Sequence, residues 1–167
     1  YGIDTNNREK TLELTRELLP WLRFNTACLE QDTVKRRGLT AGQPEYPWWF
    51  TCDSYYACQG LLCAGQFELV RETIEIILHS CQENEPKYKV PHEITTAGKI
   101  VHPGNMQEQA QILSLIAYYF SWTNDRSWLL QNRDSILNIY QLMDEATQGG
   151  STFVKGYGIT EIAGLNL

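Results

Sequence analysis

Hydrophobic positions along the chain recur mostly with the spacing of α-helices. Leucines repeat at that spacing from about residue 8 to residue 30, with Pro20 inside the pattern, where we expect the helix to kink or restart. Residues 53–64 are apolar on nearly every side, which predicts an inner helix buried by its neighbours. Residues 67–82 carry a single apolar stripe opposite charged positions, which predicts an outer amphipathic helix.

The segments between these helices are of two kinds. Residues 31–43 are polar and contain glycine, which predicts a loop with room for a short strand pair around Val34 and Leu39. Residues 83–105 contain three prolines and two glycines. A loop of that length in a compact domain usually carries function or short strands of its own.

The second half of the chain continues the helical pattern. One helix is expected over residues 106–122, and Asn124 and Asp125 then cap another that runs to about residue 145. The tail, residues 153–167, is rich in glycine and predicted to be irregular. A proline-bearing loop, an inner helix, a tight turn and an outer helix follow one another repeatedly, as in helical hairpins arranged in a ring. The pattern therefore predicts an all-α fold.

Composition and charge limit the classes to which this protein can belong. With 167 residues, 43% of them hydrophobic, the chain fits one compact domain, residues 1–167. A net charge of −6 argues against a nucleic-acid surface, and no apolar run approaches the ~18 residues of a membrane span.

Five cysteines without CxxC spacing are typical of buried free thiols, so we expect a cytoplasmic protein. The first residue, Tyr1, and the apolar end suggest a piece of a longer protein.

Metal, phosphate and nucleophile motifs are absent. His92 and His102 fall in one loop, but the sequence has no HxxxH or HExxH and places no cysteine beside them. It also has no GxGxxG, GxxxxGK[ST] or GxSxG pattern. The sequence therefore predicts no metal site and no cofactor.

Aromatic residues and carboxylates are the remaining candidates for chemistry. Residues 44–53 read PEYPWWFTCD, so two prolines and a cluster of aromatic rings precede Asp53. Flat apolar faces beside a carboxyl group are what a pyranose site requires. The alternative is a buried aromatic cluster in which Asp53 only caps a helix. Three more carboxylates lie in loops or near helix starts, and each also has a purely structural explanation: Glu93, Glu108 and Glu161.

Several segments together resemble glycogen debranching enzymes of the amylo-alpha-1,6-glucosidase type. Residues 44–53, with QGLL at 59–62, resemble that family's proline-aromatic-aspartate segment. VPHEI at 90–94 resembles a Pro-His-Glu segment that the family shares with glucoamylase-like enzymes, and PGNMQE at 103–108 is similar to another of its segments. The resemblance extends over residues 41–122.

This resemblance implies a partial (α/α)6 toroid of antiparallel helical hairpins. It also implies inverting hydrolysis of alpha-1,6-glucosidic branch stubs of glycogen or a related alpha-glucan. Asp53 would be the general acid, kept protonated because the apolar walls of Trp48, Trp49 and Phe50 disfavour its charged form. The residues expected to bind the sugar are Tyr46, Trp48, Trp49, His92, Glu93, Gln107, Glu108, Tyr157 and Glu161.

The departures from the family leave alternatives. Thr51 and Cys52 stand where the family usually has glycine and arginine before the acid, so sugar binding without acid catalysis is one alternative. The family's catalytic base lies towards the C-terminus of the toroid, so this chain alone is expected to be inactive. It is also expected to self-associate through helix faces that a complete toroid would cover.

Another toroidal sugar enzyme, an epimerase or a phosphorylase, is a second hypothesis. A non-enzymatic helical scaffold, which would bury Trp48 and Asp53, is the third.

Overall fold

A computed structural model of the chain describes residues 8–31 and 34–147. These residues form six helices and five strands. In chain order the elements are α1 (Arg8–Phe24), β1 (Thr26–Gln31), β2 (Val34–Leu39), β3 (Trp49–Phe50), α2 (Thr51–Cys63), α3 (Phe67–Glu83), β4 (Glu93–Ile94), β5 (Ile100–His102), α4 (Met106–Thr123), α5 (Arg126–Gln131) and α6 (Arg133–Thr147).

The strands make the fold mixed α and β, so the prediction of an all-α protein is wrong. β1 and β2 form one antiparallel sheet, and β3, β4 and β5 form a second one in that order. The helices in the described part of the chain do not form a partial (α/α)6 toroid. Strands of two or three residues, such as β3 and β5, are too short to show an alternating pattern in the sequence.

Helix α1 ends earlier than its leucine pattern predicts. It continues through Pro20 and stops at Phe24, where the backbone N–H and the side-chain amide of Asn25 both donate to the carbonyl oxygen of Trp21, at 3.0 and 2.9 Å. Cys28, which extended the predicted helix, instead lies in β1 and pairs with Arg37 of β2. The β1–β2 hairpin is thus formed partly by residues 26–30, which the pattern predicts as helix. Val34 and Leu39, around which a strand pair is predicted, are the two ends of the single strand β2.

Charged side chains join this hairpin to α3. Arg37 Nη2 lies 2.6 Å from Glu72 Oε1, and Arg36 Nε lies 3.2 Å from Glu75 Oε2. The indole N–H of Trp128, which is 3% exposed, donates to the other oxygen of Glu75 at 2.8 Å. The polar side of α3 therefore faces β2 and α5, and α3 is not the outer helix that its stripe predicts.

The hydrophobic core lies where α2, α3 and α4 meet, and the hairpin and α6 close it. Its fully buried side chains include Trp49, Leu62, Ile74, Ile76, Ile77, Ile94, Ile112, Leu115 and Ile139. Helix α2 contributes only one face to this core, since its Tyr56 is 67% exposed. Helix α2 is therefore exposed on the side of Tyr56, where its apolar sequence predicts burial.

The long loop after α3 is tied to the core by buried amides. The side-chain Nδ2 of Asn84 donates to the carbonyl oxygens of Lys89 and Pro103, at 2.8 Å each. The backbone N–H of Val90 donates to Oε1 of Gln109 on α4, at 2.7 Å. Gly104 has a φ of +89°, and a side chain there would collide with the carbonyl group of Val90. The loop carries short strands, as its length predicts.

Some of the remaining predictions are confirmed and others are wrong. The helix over 106–122 is confirmed as α4, but the single helix to residue 145 is divided into α5 and α6 at Asn132. All five cysteines are free, as predicted, but Cys28 and Cys63 are exposed and only Cys58 and Cys81 are buried. None of the helices in the described residues is long and apolar enough to cross a membrane.

Candidate functional site

The first turn of α2 is held in place by the loop that carries His92. The backbone N–H of Thr51 donates to the carbonyl oxygen of His92 at 2.9 Å, and the Thr51 hydroxyl donates to that of Pro91 at 2.6 Å. Because successive residues of a helix point about 100° apart, the next two side chains leave α2 in different directions. Cys52 contacts the His92 loop, and Asp53 lines a cleft beside α1.

Three side chains that are distant in sequence meet at Cys52. Nδ1 of His92 lies 2.7 Å from Oε1 of Glu108 and 3.8 Å from Sγ of Cys52. The Cys52 thiol donates to the same Glu108 oxygen at 3.4 Å, and Nε2 of Gln107 lies 3.3 Å from the sulfur. We call Cys52, His92 and Glu108 the Cys-His-Glu cluster.

Glu108 is fixed by the start of α4. Its side chain is 2% exposed, and its Oε2 accepts the backbone N–H of Asn105 at 2.8 Å, as an acidic residue in the first turn of a helix commonly does. The second oxygen is thereby turned towards His92. Glu108 therefore stabilises the first turn of α4 and also contacts His92, so the structural role and the site role expected for it occur together.

Charge in the cluster is set by burial and hydrogen bonds. Burial alone would raise the pKa of Glu108, but hydrogen bonds from His92 and from the backbone at Asn105 hold that pKa below its ordinary value. The bond to Glu108 raises the pKa of His92, which favours the imidazolium. Burial, followed by the neighbouring Glu108 charge, raises the pKa of Cys52 to about 12. These shifts favour an ion pair between His92 and Glu108 beside a neutral thiol, which is a poor nucleophile.

Aromatic rings extend from the cluster towards the surface. The ring of His92 packs edge-on against Phe50 and His102, and Phe50 in turn packs against Tyr46, which is 61% exposed. Nε2 of His92 faces Glu93 across 3.9 Å. The structure thus places Glu108 and Glu93 at the two ring nitrogens of His92. Two further predicted sugar-binding residues lie one contact away, Gln107 through Cys52 and Tyr46 through Phe50.

Asp53 lies on the other side of the α2 first turn, in a cleft of about 670 Å³ between α1, β2 and α2. Both aromatic rings in the described lining of this cleft are largely exposed, Trp21 at 64% and Tyr56 at 67%. The polar side chains of its wall are Asn25, Thr40, Asp53 and Gln66. A cleft with exposed rings, amides and one carboxylate has the chemistry of a sugar site.

Two expectations for the aromatic segment are wrong. Trp49 is 1% exposed and packs in the core beneath Gly38, so its ring does not face a ligand. Asp53 is exposed, so the walls of Trp48, Trp49 and Phe50 do not withdraw its carboxylate from water. Trp48 is half-buried. The remaining two predicted site residues, Tyr157 and Glu161, lie outside the described residues.

Of the polar and aromatic side chains in the described lining of the cleft, sequence reasoning predicted only Asp53, and it also missed the thiol of the Cys-His-Glu cluster. Trp21 and Asn25 belong to α1 and to the turn after it, and neither stands near the aromatic segment in the sequence. Cys52 is separated from His92 by 40 residues, so a search for ligands at short spacing does not find the pair. The exclusion of a metal site because no cysteine stands near the histidines therefore does not apply in three dimensions.

No protein-family model, curated protein or solved structure matches the chain significantly.

Proposed function

We propose that the protein binds an alpha-glucan in the Asp53 cleft and is a glycoside hydrolase acting on alpha-1,6-glucosidic branch stubs. The observation that carries the proposal is the placement of Asp53 beside the exposed rings of Trp21 and Tyr56, in a cleft large enough for a short oligosaccharide. The apolar face of a pyranose stacks on such rings, while amides and a carboxylate bond its hydroxyl groups.

The cleft supports the binding step more directly than the hydrolytic step. Asp53 is the one carboxylate in the described lining of the cleft, and inverting hydrolysis requires a second carboxylate roughly 6.5–9.5 Å from the first. In the proposed reaction Asp53 donates a proton to the leaving oxygen, and a bound sugar would cover the carboxyl group and remove it from water. Sugar binding without hydrolysis is the alternative if Asp53 has no catalytic partner.

The cytoplasm is the proposed location. Its support is that all five cysteines are free, as reducing conditions maintain them.

Binding is tested by calorimetric titration of the chain with maltotriose and isomaltotriose. We expect W21A to weaken binding roughly tenfold, because it removes one stacking face. W122A is the matched control, since Trp122 is 54% exposed on α4 and does not line the cleft. Absence of binding to both sugars, or equal losses in the two variants, would contradict the proposed cleft.

Hydrolysis is tested on the natural full-length protein with a branched alpha-glucan that ends in alpha-1,6-linked glucose. We expect release of β-glucose, seen by NMR before mutarotation, and loss of that release in D53N. If glucose is not released while the cleft still binds glucan, the hydrolase is rejected and the binding function stands.

A further inference from the structure

We propose that the Cys-His-Glu cluster binds one divalent cation of the zinc type. This inference is independent of the glucan cleft, because none of its three residues lines that cleft. Thiolate, imidazole and carboxylate are the three ligand classes that zinc takes in proteins, and a three-residue set leaves a coordination position for water.

The distances within the cluster suit such an ion. Sγ of Cys52, Nδ1 of His92 and Oε1 of Glu108 are separated by 2.7, 3.4 and 3.8 Å, and all three ligand atoms fall within one small group. A point about 2 Å from each atom exists between them, which is close to the bond lengths of zinc to nitrogen, oxygen and sulfur. Only the His92–Glu108 separation has to widen, to roughly 3.3 Å, for tetrahedral geometry.

The surroundings supply the supporting contacts that metal ligands require. Oε2 of Glu108 is already held by the Asn105 N–H, so Oε1 is oriented for coordination. When Nδ1 of His92 binds a cation, the imidazolium releases its Nδ1 proton to solvent and keeps the proton on Nε2, which faces Glu93 across 3.9 Å. A carboxylate opposite the second ring nitrogen is the usual partner of a metal-bound histidine.

A buried amide provides a second, independent indication. Gln111 is 8% exposed and its side chain interacts with Cys52, yet its Oε1 is buried with no hydrogen-bond partner among the described residues. Buried acceptors are rarely left unsatisfied, and a water molecule on the bound cation would supply this oxygen with a donor. On binding, the Cys52 thiol gives its proton to solvent and the sulfur coordinates as thiolate, as coordinating thiols do.

The test uses the chelator-treated, reduced chain titrated with Co²⁺, followed by displacement with Zn²⁺. We expect one Co²⁺ per chain with a thiolate-to-cobalt charge-transfer band, and loss of the band in C52S. Zn²⁺ affinity should fall more than about 100-fold in C52S, because loss of an outer partner alone costs 10–100-fold. C63S is the control, since Cys63 is an exposed thiol on the same helix, and it should behave as the unchanged chain.

A second variant keeps the test valid if C52S does not fold. E93Q alters a residue outside the core and should weaken Zn²⁺ binding roughly tenfold while leaving the Co²⁺ band in place. The proposal is overturned if the chain binds neither ion one-to-one, if C52S retains the band, or if E93Q has no effect on affinity.

Discussion

The contact between Arg37 and Glu72 shows how one carboxylate holds the β1–β2 hairpin on α3. Glu72 accepts the backbone N–H of Arg37 at 2.5 Å and its guanidinium at 2.6 Å, and its side chain is only 12% exposed. Burial alone would raise the pKa of Glu72, but the Arg37 side chain and backbone hold it below its ordinary value of 4.5. Stability from this contact is therefore present above pH 4.5 and is lost as the pH falls through the lowered pKa.

We predict that E72Q lowers the free energy of unfolding by about 1 kcal/mol at pH 7, because Arg37 is half exposed and solvent screens part of the ion pair. The difference from the unchanged chain should shrink in acid, as Glu72 becomes protonated. Urea denaturation at a series of pH values measures both effects. E68Q is the control, since Glu68 is 69% exposed and lies 3.4 Å from the same guanidinium, and it should change stability little. A difference that stays constant down to pH 2 would contradict the assignment.

At the scale of elements, the loop between α3 and α4 depends on the close approach of Gly104 to Val90. A β-carbon at position 104 would collide with the Val90 carbonyl, and the φ of +89° is strained for any residue with a side chain. Since Val90 is also tied to Gln109 on α4, the collision cannot be relieved without moving the loop from the helix.

We predict that G104A lowers the free energy of unfolding by about 2–4 kcal/mol. G60A is the matched control: Gly60 lies in α2, and beyond its own stretch of helix no described atom is within 4 Å of the position of an added β-carbon. It should raise stability by up to about 1 kcal/mol, because alanine favours a helix more than glycine does. Urea denaturation of both variants distinguishes the two effects. Equal stabilities would mean that the loop tolerates the added side chain.

The sequence predicts the long helices better than the connections between them. The α4 pattern is long and periodic, so its extent is foreseen almost to the residue. The strands β3, β4 and β5 are stabilised by pairing with residues up to 45 positions away, as between Trp49 and Ile94. Their own two or three residues carry no sign of that pairing. Trp49 illustrates the same limit at the site. From the sequence, a tryptophan in a loop is as well suited to packing in a core as to stacking on a sugar, and only its neighbours in the fold show that Trp49 is buried.

At the scale of the whole molecule, exposed aromatic rings make self-association a prediction. Tyr56, Tyr118 and Trp122 are 67%, 43% and 54% exposed, and Tyr55 stacks against Tyr118 at 6.5 Å. We expect the chain to associate with itself as its concentration rises, because contiguous apolar surface of this kind is normally covered.

Sedimentation velocity over a concentration series measures this association. W122E should weaken it roughly tenfold, because aromatic residues dominate such contacts. Y140E is the control, with an equally exposed ring, 52%, on α6. A strictly monomeric chain at high concentration would contradict the prediction.

The three-stranded sheet has a consequence for the timescale on which the loop moves. The N–H of Thr51 bonds to His92, the N–H of His92 bonds to His102, and the N–H of Val90 bonds to the fully buried Gln109. We expect these amides to exchange with solvent only when the sheet separates from α2 and α4, and hydrogen exchange followed by NMR should place them in the slowest group of the core. On this expectation, a segment that has the sequence of a long loop opens as rarely as the helices around it.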